Sequence, residues 1–368
     1  MKNVFVVSMA CLFVATSAQA AGVERSTQST AILFEQGNYV EFSFGHVAPK
    51  VSGTQLVNAG PTSLIGAQSG DMTGNYTTLS FGVKTSVNDR VSLALVVDQP
   101  IGASVIYAPG TGYLYGDSTA TLKSQAVTAM VKYTLPSNVS VIGGVRAMET
   151  SGEVALFNGY RLNVAKETDL GYLVGVAYEK PEIALRVALT YNSAINHTFS
   201  ITENGAPSLP LDVEIPQSVN LEFQSGVAAD TLVFGSLRYV DWTAFEISPV
   251  GYVFAVGSPL VGYRGDTTTI TLGVARRFTE NWSALVSLGY EHPVGGFVGN
   301  LGPTDGQKSI GVGAVYEKDR IKITGGIRYV DLGGARTEAP PPFPAGTTFS
   351  SFENNHALAA GIKVGISF

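Results

Sequence analysis

The chain ends in a run of alternating residues that has no interruption. Leu358, Ala360, Ile362, Val364, Ile366 and Phe368 form one face, and Ala359, Gly361, Lys363, Gly365 and Ser367 form the other. Period-two alternation is the signature of a β-strand, because successive side chains point to opposite sides of a pleated ribbon. In a soluble sandwich the apolar face would turn to a core. Three further observations turn it outward. The 368-residue chain has only 14% charged side chains, against about 25% in an ordinary soluble domain. Lys2, the apolar run Val4 to Thr16 and Ala18-Gln19-Ala20 read as a secretory signal over residues 1–20, which takes the only cysteine, Cys11, with it. Beyond it no apolar run reaches the length of a membrane-spanning helix. The nearest candidate, 247–263, is broken by Pro249, Gly251, Gly257, Pro259 and Gly262. An exported apolar chain without such a helix has one way to cross a membrane, a closed β-barrel.

The alternation recurs along the chain. Val40, Phe42 and Phe44 oppose Glu41, Ser43 and Gly45; Val127, Ala129, Val131 and Tyr133 oppose Thr128, Met130 and Lys132; Leu170, Tyr172, Val174 and Val176 oppose Gly171, Leu173 and Gly175. Met130 and Leu173 are out of place on the face expected to line the lumen. Short turn signals fall near 87–89, 136–138, 179–181, 228–230, 279–281 and 317–319. Longer Gly/Pro/Ser-rich stretches fall near 49–73, 107–118, 154–167, 203–211, 246–264, 293–306 and 333–352. Six short and seven long connections join fourteen strands. The expectation is an all-β transmembrane antiparallel barrel of about 14 strands over 38–368, preceded at 21–37 by a short hatch-like segment that could plug the lumen. Trp282, Tyr133 and Tyr178 beside short turns, and Tyr239, Tyr290 and Tyr329 at the other strand ends, read as aromatic girdles.

Residues that could carry function follow from this frame. Ile32-Leu33-Phe34 is the one apolar triplet of the N-terminal segment; Leu33 and Phe34 would line a lumen pocket or start the first strand. The third strand, from Val91, meets Asp98-Gln99-Pro100-Ile101-Gly102. Proline donates nothing to the ladder and glycine weakens it, so Pro100 either breaks the barrel wall or ends the strand. Val105 and Ile106 beyond it would line a pocket or face lipid. Parity turns Arg146, Arg186, Arg238 and Arg328 inward, either to pair with a ligand carboxylate or to form an internal Arg–Glu ladder. Loop 247–263, with Val250, Tyr252, Phe254 and Leu260, is apolar enough to receive a hydrophobic solute. No G-x-S-x-G or H-E-x-x-H occurs, and four scattered histidines offer no metal spacing. No enzyme, cofactor or metal is expected. A net charge of −6 argues against nucleic acid as a partner.

The layout resembles the FadL/TodX family of outer-membrane transporters of fatty acids and other hydrophobic compounds. Ile215-Pro216-Gln217 is similar to the family's Leu-Pro-x strand start, and Tyr239-Val240-Asp241-Trp242-Thr243-Ala244-Phe245 to its Tyr-x-x-Trp-x-x-Phe strand end. The resemblance implies an N-terminal hatch, here shorter than the family pattern, and a lateral gate where the third strand kinks, carried over to Asp98, Pro100 and Gly102. It implies a monomer in the bacterial outer membrane, in contact with its lipid, that passes a hydrophobic small molecule without energy input. A general diffusion porin and a non-transporting adhesin or structural barrel are the alternatives.

Overall fold

The computed structural model describes residues 23–368; the expected signal peptide lies outside the described residues. Fourteen antiparallel strands close into a barrel. They are β1 (Tyr39–Lys50), β2 (Tyr76–Ser86), β3 in two pieces (Val91–Asp98 and Gly102–Ile106), β4 (Thr119–Thr134), β5 (Val139–Ala155), β6 (Arg161–Lys180) and β7 (Leu185–Asn192), then β8 (Ser218–Ala228), β9 (Thr231–Val240), β10 (Thr267–Arg277), β11 (Trp282–Glu291), β12 (Gln307–Lys318), β13 (Ile321–Leu332) and β14 (Asn355–Ser367). Neighbours in sequence pair throughout, and β14 returns to β1 with Phe42 opposite Val364 and Phe44 opposite Ile362, so the wall has no free edge at its seam.

The short turns lie at one end of the barrel. Asn138, Asp230 and Asp319 take left-handed backbone there, at φ 62°, 57° and 55°. Asn and Asp tolerate this conformation because their short side chains bond the local backbone. The alternating apolar residues face out: Phe42, Phe44, Val127, Val131, Leu170, Leu288, Leu358 and Ile362 are all exposed. In water such a belt would be an aggregation surface; against hydrocarbon it is the stable face. Trp282 packs at a tilt against Tyr316 at the short-turn end, with centroids 5.0 Å apart, and Tyr239, Tyr290 and Tyr329 stand exposed at the other.

One expectation needs correction. The stretch 154–167 is not a long loop. β5 and β6 run through it and meet in the tight connection 156–160. Their upper parts have the opposite polarity, with Leu162 buried and Arg161 and Asn163 exposed, so a pattern sought as apolar-outward does not find them. Loop 247–263, read as an apolar surface, has a regular element of its own. It carries a helix, α1 (Val250–Val256), closed by Gly257 at φ 81°.

Above the belt the long loops build a packed cap. A hairpin of Ile195–Phe199 with Leu211–Ile215 turns Ile195, Phe199, Leu211, Val213 and Ile215 inward. They pack with Trp242, Phe245 and Leu260. A second cluster joins Val51, Met72, Tyr107, Tyr113, Phe349 and Phe352.

Candidate functional site

Within the barrel the N-terminal segment runs down the lumen, held by side chains of the wall. Arg238 on β9 forms an ion pair with Glu24, its Nε donating to the two carboxylate oxygens at 2.9 and 3.0 Å. Arg146 on β5 donates to Gln28 Oε1 at 2.7 Å and to Thr128 Oγ1 at 2.9 Å. Ser29 Oγ donates to Glu222 at 2.7 Å, and Lys322 Nζ to Glu35 at 3.1 Å. The segment then makes one short 3₁₀ turn, Ala31–Phe34, wholly buried. Met130, Ile142 and Leu173 pack around it. This explains the two apolar residues on the lumen face: they form the seat of Ile32, Leu33 and Phe34. Lys132 Nζ and the Arg186 guanidinium stand 4.5 and 4.8 Å from the centroid of the Phe34 ring, both within cation–π range.

The third strand is broken where Pro100 stands. β2 and β3 pair only as far as Phe81 and Val97. Pairing resumes through the loop before β2, where Gly74 N donates to Ser104 O at 3.2 Å and Ile106 N to Met72 O at 2.9 Å. Between these points Tyr76 to Ser80 pair with β1 on one side and with no strand on the other. Five residues at about 3.4 Å each make an interruption of about 17 Å in the ladder. The freed backbone of β3 is satisfied from inside. Pro100 O accepts from Arg25 N at 2.7 Å and Ser26 N at 3.2 Å, Gly102 N donates to Val23 O at 2.7 Å, and Ser26 Oγ donates to Asp98 at 2.6 Å. The N-terminal segment thus replaces β2 as the partner of the break, and buried polar backbone stays paired.

Three cavities meet here. One lies under the cap and is lined by apolar side chains, among them Val105, Leu122, Phe199, Val213, Phe245 and Leu301. A second shares Val23, Val105, Tyr263 and Leu301 with it and reaches Gly74, Tyr76 and Gly102 at the break. A third is lined by Asp98, Gln99, Glu41 and Lys363, and by Leu79, an outward-facing residue of the wall; Arg25 borders both this space and the second. A recess lined by apolar side chains with a few polar groups is the usual form of a small-molecule site.

The expected site residues are dispersed. Val105 lines the apolar cavity, and Asp98, Pro100 and Gly102 lie at the break. Ile106 does not line the cavity: it faces out and is half exposed, because adjacent residues of a strand point to opposite sides. Leu33 and Phe34 fill their own seat and border none of these three cavities. Arg146, Arg186 and Arg238 engage the N-terminal segment, and Arg328 lines a separate small hollow beside Gly313 and Gly361. The inner-facing residues of the cap hairpin and Arg25 were not singled out by sequence. The hairpin alternates, but its apolar residues face inward. Arg25 lies in a segment with no periodicity.

The architecture now permits a comparison with solved structures. A Pseudomonas aeruginosa FadL homologue superposes with a TM-score of 0.73 over 92% of both chains, at 11% identity. The fold is that of the FadL/TodX-type transporters. The Pseudomonas putida toluene transporter TodX matches at 0.63 over 92% of both chains with 13% identity. The Ralstonia pickettii toluene transporter TbuX matches at 0.60 over 95% of both with 13% identity. No protein-family model and no curated protein matches the chain by sequence. The FadL/TodX-type fold is therefore shared with these structures at only 11–13% identity.

Proposed function

We propose that this barrel passes hydrophobic small molecules across the bacterial outer membrane by passive diffusion, through a lateral opening at the broken third strand. The observation that carries this reading is the junction of an apolar cavity with an interrupted wall. A hydrophobic solute that settles under the cap leaves water on entering. It can then move along Val105 and Tyr263 to Gly102, down past Asp98 to Leu79 on the outer apolar face, and leave sideways into lipid without crossing an aqueous channel. The N-terminal segment supports the same route, because it occupies the lumen below the break and leaves the wall as the shorter way out. It also weighs against a general porin, which needs an open polar lumen. The structural neighbours named as toluene transporters carry a cargo of this kind.

The test is uptake by lipid vesicles carrying the protein. Pro100→Val together with Gly102→Ala restores a ladder donor and stiffens the strand. A fluorescent hydrophobic tracer should then enter at least several-fold more slowly, with the barrel still folded. Unchanged tracer uptake would remove the lateral opening from the mechanism. Rapid saturable uptake of a small sugar by the unaltered protein would favour a porin instead.

A further inference from the structure

We infer that Leu301 is the size filter of this route: its side chain sets the width of the neck between the cavity under the cap and the break in the wall, so that slim apolar molecules pass and bulky ones are held back. The inference rests on the reading of the cavities as a ligand route and names what that route selects.

The cavity under the cap and the one that reaches the break have six lining residues in common: Val23, Ala103, Val105, Tyr263, Leu301 and Gly302. These ring the place where one space gives way to the other, and most of the ring is fixed. Ala103 and Val105 belong to the upper piece of β3 and pair with Leu122 and Ala120 of β4. Val23 is held by Gly102 N, which donates to its carbonyl at 2.7 Å. The Tyr263 ring lies against Trp242 and Phe245, with centroids 5.3 and 5.8 Å away. Leu301 has no such frame. It belongs to no strand and stands third in a tight turn, 299–302, closed by Gly302 N donating to Gly299 O at 3.2 Å. A Cβ on Gly299 or Gly302 would meet nothing within 4 Å, so the flanks of the turn are unpacked. Tyr107 Oη holds the turn by donating to Asn300 O at 2.5 Å.

Turns favour Gly, Asn, Asp and Ser; a leucine in this one is stable because it turns into the interior. Leu301 is half-buried and packs against both apolar clusters of the cap, the one around Trp242 and Phe199 and the one around Met72 and Phe349. It stands between the two cores as well as between the two cavities. A neutral apolar solute meets hydrocarbon on either side of it, so the side chain does little to hold such a solute in place. Its effect is steric, because packed neighbours yield little and extra volume forced between them is costly. A flat two-ring molecule needs only the Leu301 side chain to turn aside. A propeller-shaped three-ring molecule needs the laddered and stacked members of the ring to move as well.

Uptake by intact bacterial cells that carry the full-length protein in their outer membrane tests this. Naphthalene is the slim tracer and triphenylmethane the bulky one, each corrected for cells without the protein and compared at matched protein levels. The unaltered protein should carry naphthalene about 10-fold faster or more. Leu301→Ala should speed triphenylmethane by about 3-fold or more and change naphthalene by less than about 2-fold, and Leu301→Trp should slow both, triphenylmethane the more. Leu260→Ala enlarges the cavity under the cap away from the neck and should leave the ratio of the two rates unaltered. An unaltered ratio in Leu301→Ala, or the same change of ratio in Leu260→Ala, would overturn the filter. Equal uptake of both tracers by the unaltered protein would overturn it while leaving the transport reading in place. Uptake of neither tracer above that of cells without the protein would sink both.

Discussion

β4 passes through two environments, and its two halves obey opposite rules. Toward the short turns Val127, Val131 and Tyr133 face out and are exposed, while Thr128 and Lys132 face in. Toward the long loops Ala120 faces in, and Thr119, Lys123 and Gln125 stand on the outside. The alternation never loses its period; the apolar set changes sides near Ala126. The lower half is solvated by hydrocarbon, so apolar surface is stable outside and polar groups need internal partners. The upper half stands clear of lipid, so water claims the outside and the apolar residues withdraw, as in a soluble sheet. The apolar cavity lies where the inner face changes character. A site for a greasy ligand thus arises from the same reversal that ends the membrane belt.

If the cap is a soluble-type core, removing a large buried side chain should cost what it costs in a globular protein. Trp242 is 1% exposed between Phe245 and Tyr263. Trp242→Ala should destabilise the cap by about 3–5 kcal/mol. Hydrogen exchange of residues 195–215 and 241–263 should accelerate while the belt stays protected. The matching change at the belt, Trp282→Ala, removes a half-exposed ring and should leave the cap protected. Faster exchange over the whole barrel after Trp242→Ala would show that cap and belt fold as one unit.

The second prediction moves a charge between the zones. Val286 lies on the outer face of β11, halfway between Trp282 and Tyr290. Val286→Arg places a cation near the bilayer midplane and should cost about 2–4 kcal/mol. Thr119→Arg, on the outer face of β4 above the belt, should change stability by less than about 0.5 kcal/mol. Reversible urea unfolding in lipid vesicles measures both. Similar costs at the two positions would mean that lipid reaches the cap.

Much of the lower zone was legible because one rule governs every strand in it. Period, turn residues and the face carrying Leu358, Ile362 and Ile366 led to fourteen strands and to the side that meets lipid. The upper zone was read poorly for the same reason. Assigning a single sense to the alternation made Leu162 and Val164 look like parts of a loop, and it left Val213 and Phe199 out of the site. The break at Pro100 could be found because proline has a local meaning. Its partner could not, since the bonds from Val23, Arg25 and Ser26 join segments about 75 residues apart that share no pattern. The inward arginines were placed on the correct face. Parity says where a side chain points and nothing about what it meets, and three of the four meet the N-terminal segment.

The smallest expected effect concerns how the cap is held to the wall. Glu203 receives Tyr160 Oη at 2.7 Å and Ser208 Oγ at 2.6 Å, and the N–H groups of Gly251 and Tyr252 at 3.0 and 2.9 Å. Gly251 permits this approach, since a Cβ there would fall 2.9 Å from the carboxylate. Burial alone would raise the Glu203 carboxyl; the four donors together outweigh it and hold it below the ordinary glutamate range. A depressed value in the folded protein means stability that is present above the unfolded value of about 4.3 and fades as pH falls through the folded one. Helix α1 should therefore detach from the hairpin in acid, below about pH 4, while the belt remains closed. Glu203→Gln should weaken the attachment at neutral pH by about 1–3 kcal/mol and abolish its acid sensitivity. Hydrogen exchange at 250–256, followed from pH 7 down to pH 3, separates these outcomes; an acid response that survives in Glu203→Gln would place the titrating group elsewhere in the cap.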